Sequence, residues 1–189
     1  MNLTEQQTQQ LGTFSLLILM ALTRSDHFGS AVSLPDASLA VFYLAGIFSG
    51  GLISFALLLI SAGLLDYIAI THWQVSDYCI SPAYVFLIPT YAVMFGAGRF
   101  SVKYSQLNIR DISFQVTSLL IATSIAFFIS NGGFYWFSGK FPELSIIQYS
   151  ERVVQYYPAY LSSTLFYSLT IMLFCKLVYM AYQDKYKLA

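Results

Sequence analysis

LAVFYLAGIFSGGLISFALLLISAGLLDYIAI, residues 39–70, is the stretch on which the fold turns. It carries a single charged residue, Asp66. A helix over the whole run would be about 48 Å long at about 1.5 Å per residue, well beyond a hydrocarbon core of about 30 Å. Ser49-Gly50-Gly51 interrupts it with two glycines, which weaken a helix interior. The run therefore reads as two apolar helices joined at 49–51. One long, tilted helix is the alternative.

Composition points the same way. Hydrophobic residues make up 57% of the 189 and charged residues 10%, against about 25% charged in an ordinary soluble domain. Mean hydropathy is +0.64. So few charges cannot cover a water-facing surface, and lipid is the expected solvent. Upstream, residues 11–23 form a short apolar helix, followed at once by the polar TRSDH. SLPDAS then supplies a turn, with Pro35 and a helix cap in Asp36. Downstream, Ser81 as N-cap and Pro82 at the first helical position start a helix that runs to about Gly98. Two more cover 114–130, ending near Asn131-Gly132-Gly133, and 159–182. The expectation is one domain, residues 1–189: an all-α integral membrane protein of six transmembrane helices, with both ends on one side. MNLTEQQTQQ has no basic segment and does not read as a cleaved signal. Arg99, Lys103 and Arg110 in one loop, and Lys176, Lys185 and Lys187 near the C-terminus, predict that these parts and both termini face the cytoplasm.

Several functions are disfavoured. The formal net charge is zero and no basic tract occurs, so nucleic acid is not an expected partner. No HExxH, GxSxG, phosphate-binding loop, CxxC or two-carboxylate pattern supports a hydrolase, kinase or zinc enzyme. The last two helices lack the acidic or basic relay of an ion-driven pump. Arg24, Asp26, His27, Asp36, Asp66, His72, Asp77 and Cys79 instead gather at the outer ends of the first four helices or in their loops. That suits a binding site open to the outside.

Asp66 is the first candidate, because an acid inside an apolar helix usually faces a cavity or a partner. The alternative is an interfacial carboxylate wetted by headgroup water. His27 is a second candidate, or an ordinary interfacial loop histidine. Arg24 and Asp26 read as loop hydrogen-bonding or headgroup-binding residues. Cys79 lies two residues before a helix start, whose positive end favours a thiolate. A thiolate suits a soft or borderline transition metal; the alternative is a buried, inert thiol. Tyr84, one turn into the fourth helix, suits the wall of the same cavity. Cys175, near the inner end of the last helix, reads as packing. So does the GxxxG of Gly46 and Gly50.

PDASLAVFYLAGIFSGG and SPAYVFLIPTYAVMFGAGR resemble the second and fourth helices of the vitamin-binding S-components of energy-coupling-factor (ECF) transporters. TRSDHFGS, LPDAS, GLLDY and CISPAY, in this order and spacing, resemble more closely the BtuM family of solitary cobalamin-type S-components. The resemblance covers essentially the whole chain. It implies cobalamin uptake across a bacterial inner membrane, with cobalamin as bound substrate and no prosthetic group. It also implies that Cys79 ligates the cobalt and displaces its cyanide, with His27, Asp66 and Tyr84 around the corrin ring. Many S-components dock onto an ECF coupling module and its ATPases through alanines one turn apart on the first helix. LGTFSLLILMALTRS lacks that pair, which argues against such a partner.

The expected protein is thus primarily a transporter, with decyanation as a possible chemical step at Cys79. Its rivals are an S-component-like carrier of another vitamin or cobamide precursor, a membrane thiol or redox protein, and a structural subunit of a larger complex.

Overall fold

The computed structural model describes residues 4–24, 34–106 and 108–187; the side chains of Glu5, Cys79 and residues 182–187 lie outside that description. Six α-helices run through the described residues: α1 (Glu5–Thr23), α2 (Ser38–Phe48), α3 (Leu52–Trp73), α4 (Leu87–Ser101), α5 (Ile109–Phe137) and α6 (Ile146–Lys187). Short 3-10 turns cover Asp77–Cys79, Pro82–Phe86 and Val102–Tyr104.

The long apolar run splits where its sequence indicates. Gly50 takes φ 61°, a conformation that favours glycine, and its N–H donates to the Ala45 carbonyl at 3.0 Å. α2 is then only 11 residues long, about 16 Å, and cannot cross a membrane alone. It is instead the centre of the core, with Ser38 through Gly46 all buried. Phe42 stacks on Tyr91 of α4 with centroids 4.1 Å apart. Gly46 and Gly98 let α2 and α4 touch backbone to backbone, since a Cβ on either would overlap a carbonyl oxygen of the other helix. The GxxxG pair therefore divides its labour: Gly46 serves packing and Gly50 serves the turn.

Side-chain bonds fix the directions of the helices. Thr13 meets Ser49 and Ser54 at one end of the bundle, while Arg24 meets Ser38, Asp66 and Tyr91 nearer the other. Tyr43, Ser101, Gln115 and Lys176 share bonds at the first end. The helices thus alternate in direction, and the start of α1 and the end of α6 lie at the end that carries Arg99, Lys103, Arg110 and Lys176. Four helical segments are long and apolar enough to cross a membrane: Leu52–Trp73, Pro82–Tyr104, Ile109–Phe137 and Ile146–Ala181. Ile53, Leu57, Ile60 and Leu64 on α3, and Phe166, Leu173, Phe174 and Leu177 on α6, are exposed. Apolar faces this extensive fit a lipid surround.

Several boundaries differ from expectation. α1 starts at Glu5 rather than 11, because Thr4 and Gln7 form a reciprocal capping box within a polar stretch. The N-cap is Ala37 rather than Asp36 and makes no side-chain cap; Asp36, one residue earlier, accepts from Ser38 N at 2.8 Å and Ser38 Oγ at 2.6 Å. Helix formation does begin at Pro82, but as a 3-10 turn, because Pro89 has no N–H to give the Val85 carbonyl. Ser81 contributes no side-chain cap. α5 passes through Asn131-Gly132-Gly133 instead of stopping there; at Gly133 a Cβ would strike the Phe86 ring. α6 starts at Ile146 rather than 159 and carries Pro158 within it. Cys175, expected to be packed, is exposed on the apolar face of α6.

Candidate functional site

Arg24 caps the C-terminal end of α1 and turns inward instead of toward solvent. It is 3% exposed, and Asp66 on α3 is 8% exposed. The two form a bidentate ion pair, Nε to Oδ1 at 2.7 Å and Nη2 to Oδ2 at 2.8 Å. Nη1 donates to Ser38 Oγ at 2.7 Å and to Tyr91 OH at 2.8 Å, and Nε also approaches the Ala62 carbonyl at 3.2 Å. Tyr84, from the 3-10 turn before α4, donates its hydroxyl to Asp66 Oδ2 at 2.5 Å. Ser38 hands its own proton on to Asp36. One hydrogen-bonded network therefore ties together α1, α2, α3, α4 and the turn at Tyr84. A buried charge needs such a complete set of partners, because an unpaired one costs several kcal/mol.

Two outcomes for the expected site residues follow. Asp66 and Tyr84 come together, and Asp66 is buried and paired with Arg24. Arg24 itself is the functional candidate that the sequence reading missed, having been taken for a loop or headgroup residue. The available signal was complementarity. An arginine at the end of one apolar helix and an acid inside another are each too costly in lipid unless they meet.

The network forms part of the wall of a cavity. Its volume is about 250 Å³, and it opens to solvent. Arg24, Asp36, Asp66, Tyr84 and Tyr91 contribute polar wall; Tyr78, Phe134, Tyr156 and Tyr160 contribute aromatic wall. Asn131 on α5 and Arg152 on α6 complete the polar lining. A second, smaller hollow lies against the same pair, bounded by Ser76, Ile80 and Tyr84. The segment 75–84 thus wraps the Asp66 end of the network.

Cys79 closes the Asp77–Cys79 turn of this segment. Ser76 Oγ accepts from Tyr78 N at 3.2 Å, and Ile80 N donates to the Asp77 carbonyl at 2.8 Å. The Cys79 backbone lies between Tyr78 and Tyr84, both of which line the cavity. Its side chain, and the whole of His27, lie outside the described residues. Among the described residues no cluster of three or more His, Cys, Asp or Glu has metal-holding geometry. Asp66 is bonded to both Arg24 and Tyr84 within the wall.

No family model matches the chain, and no curated protein matches it.

Proposed function

We propose that the chain is a cobalamin carrier of the bacterial inner membrane, an S-component-like bundle with an outward-facing pocket. Cys79 is the axial cobalt ligand and both termini are cytoplasmic. The observation that carries this reading is the union of Asp66 and Tyr84 in one cavity wall, directly beneath the chain segment that bears Cys79. The basic residues Arg99, Lys103, Arg110 and Lys176 lie at the end away from the cavity, which suits a cytoplasmic face there. Aromatic side chains in the wall suit a flat ring, and a cavity open to solvent admits a ligand that projects from it. A thiolate takes an axial position of the cobalt in a ligand exchange: the Co–S bond forms, the Co–CN bond breaks, and cyanide leaves with its electron pair. The exchange is stoichiometric unless another group regenerates the thiol.

The test is the visible spectrum of purified protein mixed with cyanocobalamin. Cys79→Ser is expected to abolish cyanide removal and the accompanying spectral change, since a hydroxyl is a hard ligand with a far higher pKa. Cys175→Ser leaves the change intact. An unaltered spectral change in Cys79→Ser would exclude the cobalt-ligand role.

One observation favours a second reading, a carrier of a smaller vitamin or a cobamide precursor. The cavity volume of about 250 Å³ suits such a ligand better than a complete corrinoid. Absorbance changes that depend on cobalt separate the two. A dithiol redox protein is disfavoured, since Cys175 adjoins Lys176, which bonds Gln115 at the end away from the cavity.

A further inference from the structure

The wall contributed by α5 and α6 has a chemistry that the ion-pair network does not explain. Asn131 lines the cavity and is 8% exposed, yet among the described residues its Oδ1 has no hydrogen-bond partner. Arg152 lines the same cavity. Its guanidinium carbon lies 5.7 Å from the ring centroid of Phe134 and 4.9 Å from those of Phe141 and Tyr156. Its Nε is buried and likewise without a partner. Phe134 stands one helical turn from Asn131 on the same face of α5, so the two polar groups share one corner of the cavity. Native interiors seldom leave a buried acceptor and a buried donor unmet in the wall of one cavity.

We propose that Asn131 and Arg152 form a subsite for a primary carboxamide of the ligand. The proposal rests on the corrinoid reading above, since a corrin carries carboxamides around its rim. A carboxamide presents an N–H and a carbonyl oxygen in one plane. Asn131 answers both, accepting at Oδ1 and donating from Nδ2, and the match survives turning both amides over together. Arg152 Nε–H then serves the second lone pair of the ligand carbonyl. A carboxylate fits worse. It offers no donor to Asn131 Oδ1, and it must shed more water to reach an aromatic-lined corner. The three aromatic faces around Arg152 already balance part of its charge, which lowers the advantage of an anionic partner.

The experiment uses the purified full chain, titrated with cyanocobalamin and with its singly hydrolysed acids, each carrying one carboxylate in place of one carboxamide. Wild type is expected to bind at least one of these acids about tenfold more weakly than the parent, the scale of one lost buried hydrogen bond. Asn131→Leu is expected to bind the parent about tenfold more weakly and to lose the preference between that acid and the parent. If wild type binds every monoacid as tightly as the parent, the subsite is overturned, and this arm needs no variant to fold. A folded Asn131→Leu that keeps the wild-type preference overturns it as well. If wild type binds no corrinoid, the corrinoid reading itself fails and takes the subsite with it. That result is distinct from binding without preference, which removes the subsite alone.

Discussion

The two polar walls of the cavity are built on opposite terms. On the α1–α3 side, Arg24, Asp66, Ser38, Tyr84 and Tyr91 answer one another within the protein. On the α5–α6 side, Asn131 Oδ1 and Arg152 Nε answer nothing among the described residues. A network closed on itself holds helices in place. A set left open has affinity to spare for something that enters. The difference teaches where to look for binding chemistry. The most heavily hydrogen-bonded cluster is the scaffold, and the incomplete one is where an incoming ligand would find partners.

Arg24→Met is the severest test of this contrast. It strands a buried carboxylate and is expected to cost about 3–5 kcal/mol, measured as loss of unfolding stability in detergent. Arg24→Met combined with Asp66→Leu should recover most of that loss, because removing both charges of a buried pair is far milder than removing one. A double variant as unstable as the single one would mean that the pair is not the scaffold. Tyr84→Phe comes next. It deletes one partly buried bond to Asp66 and should lower stability by about 1–2 kcal/mol; an unchanged midpoint would detach Tyr84 from the network. The smallest effect, and opposite in sign, belongs to the open wall. Without ligand, Asn131→Leu should leave stability unchanged or raise it by up to about 1 kcal/mol, since it removes an unmet polar group. A loss like that at Arg24 would erase the distinction between the two walls.

Local signals made much of the architecture legible. Ser49-Gly50-Gly51 and Pro82 mark real boundaries, because glycine and proline act on the backbone wherever they sit. The reading failed where a residue's meaning depends on a distant partner. Arg24 looked like the start of a solvated loop, and only the fold brings it to Asp66, 42 positions away. Asn131-Gly132-Gly133 looked like a helix stop. Its glycines instead make room for Tyr149 and Phe86, and they carry Asn131 into the cavity wall. Pro158 looked like the residue before a helix, because Glu151, Arg152 and Gln155 mask the apolar period upstream of it. Asp66 and Tyr84 stand out in the sequence because each has a local oddity, an acid amid aliphatics and a tyrosine just past a helix start, and the fold joins them by a hydrogen bond.

Pro158 also gives α6 a mechanical character. It offers no N–H to the Val154 carbonyl, so the helix is softest between Tyr156 and Tyr160, two residues of the cavity wall. The twelve or so residues before it make an arm of about 18 Å. A bend of about 10° at this pivot swings the tip of the arm by about 3 Å while the segment below stays seated against the bundle. A bend at that point would move Arg152 with the arm above it and leave the rest of α6 in place.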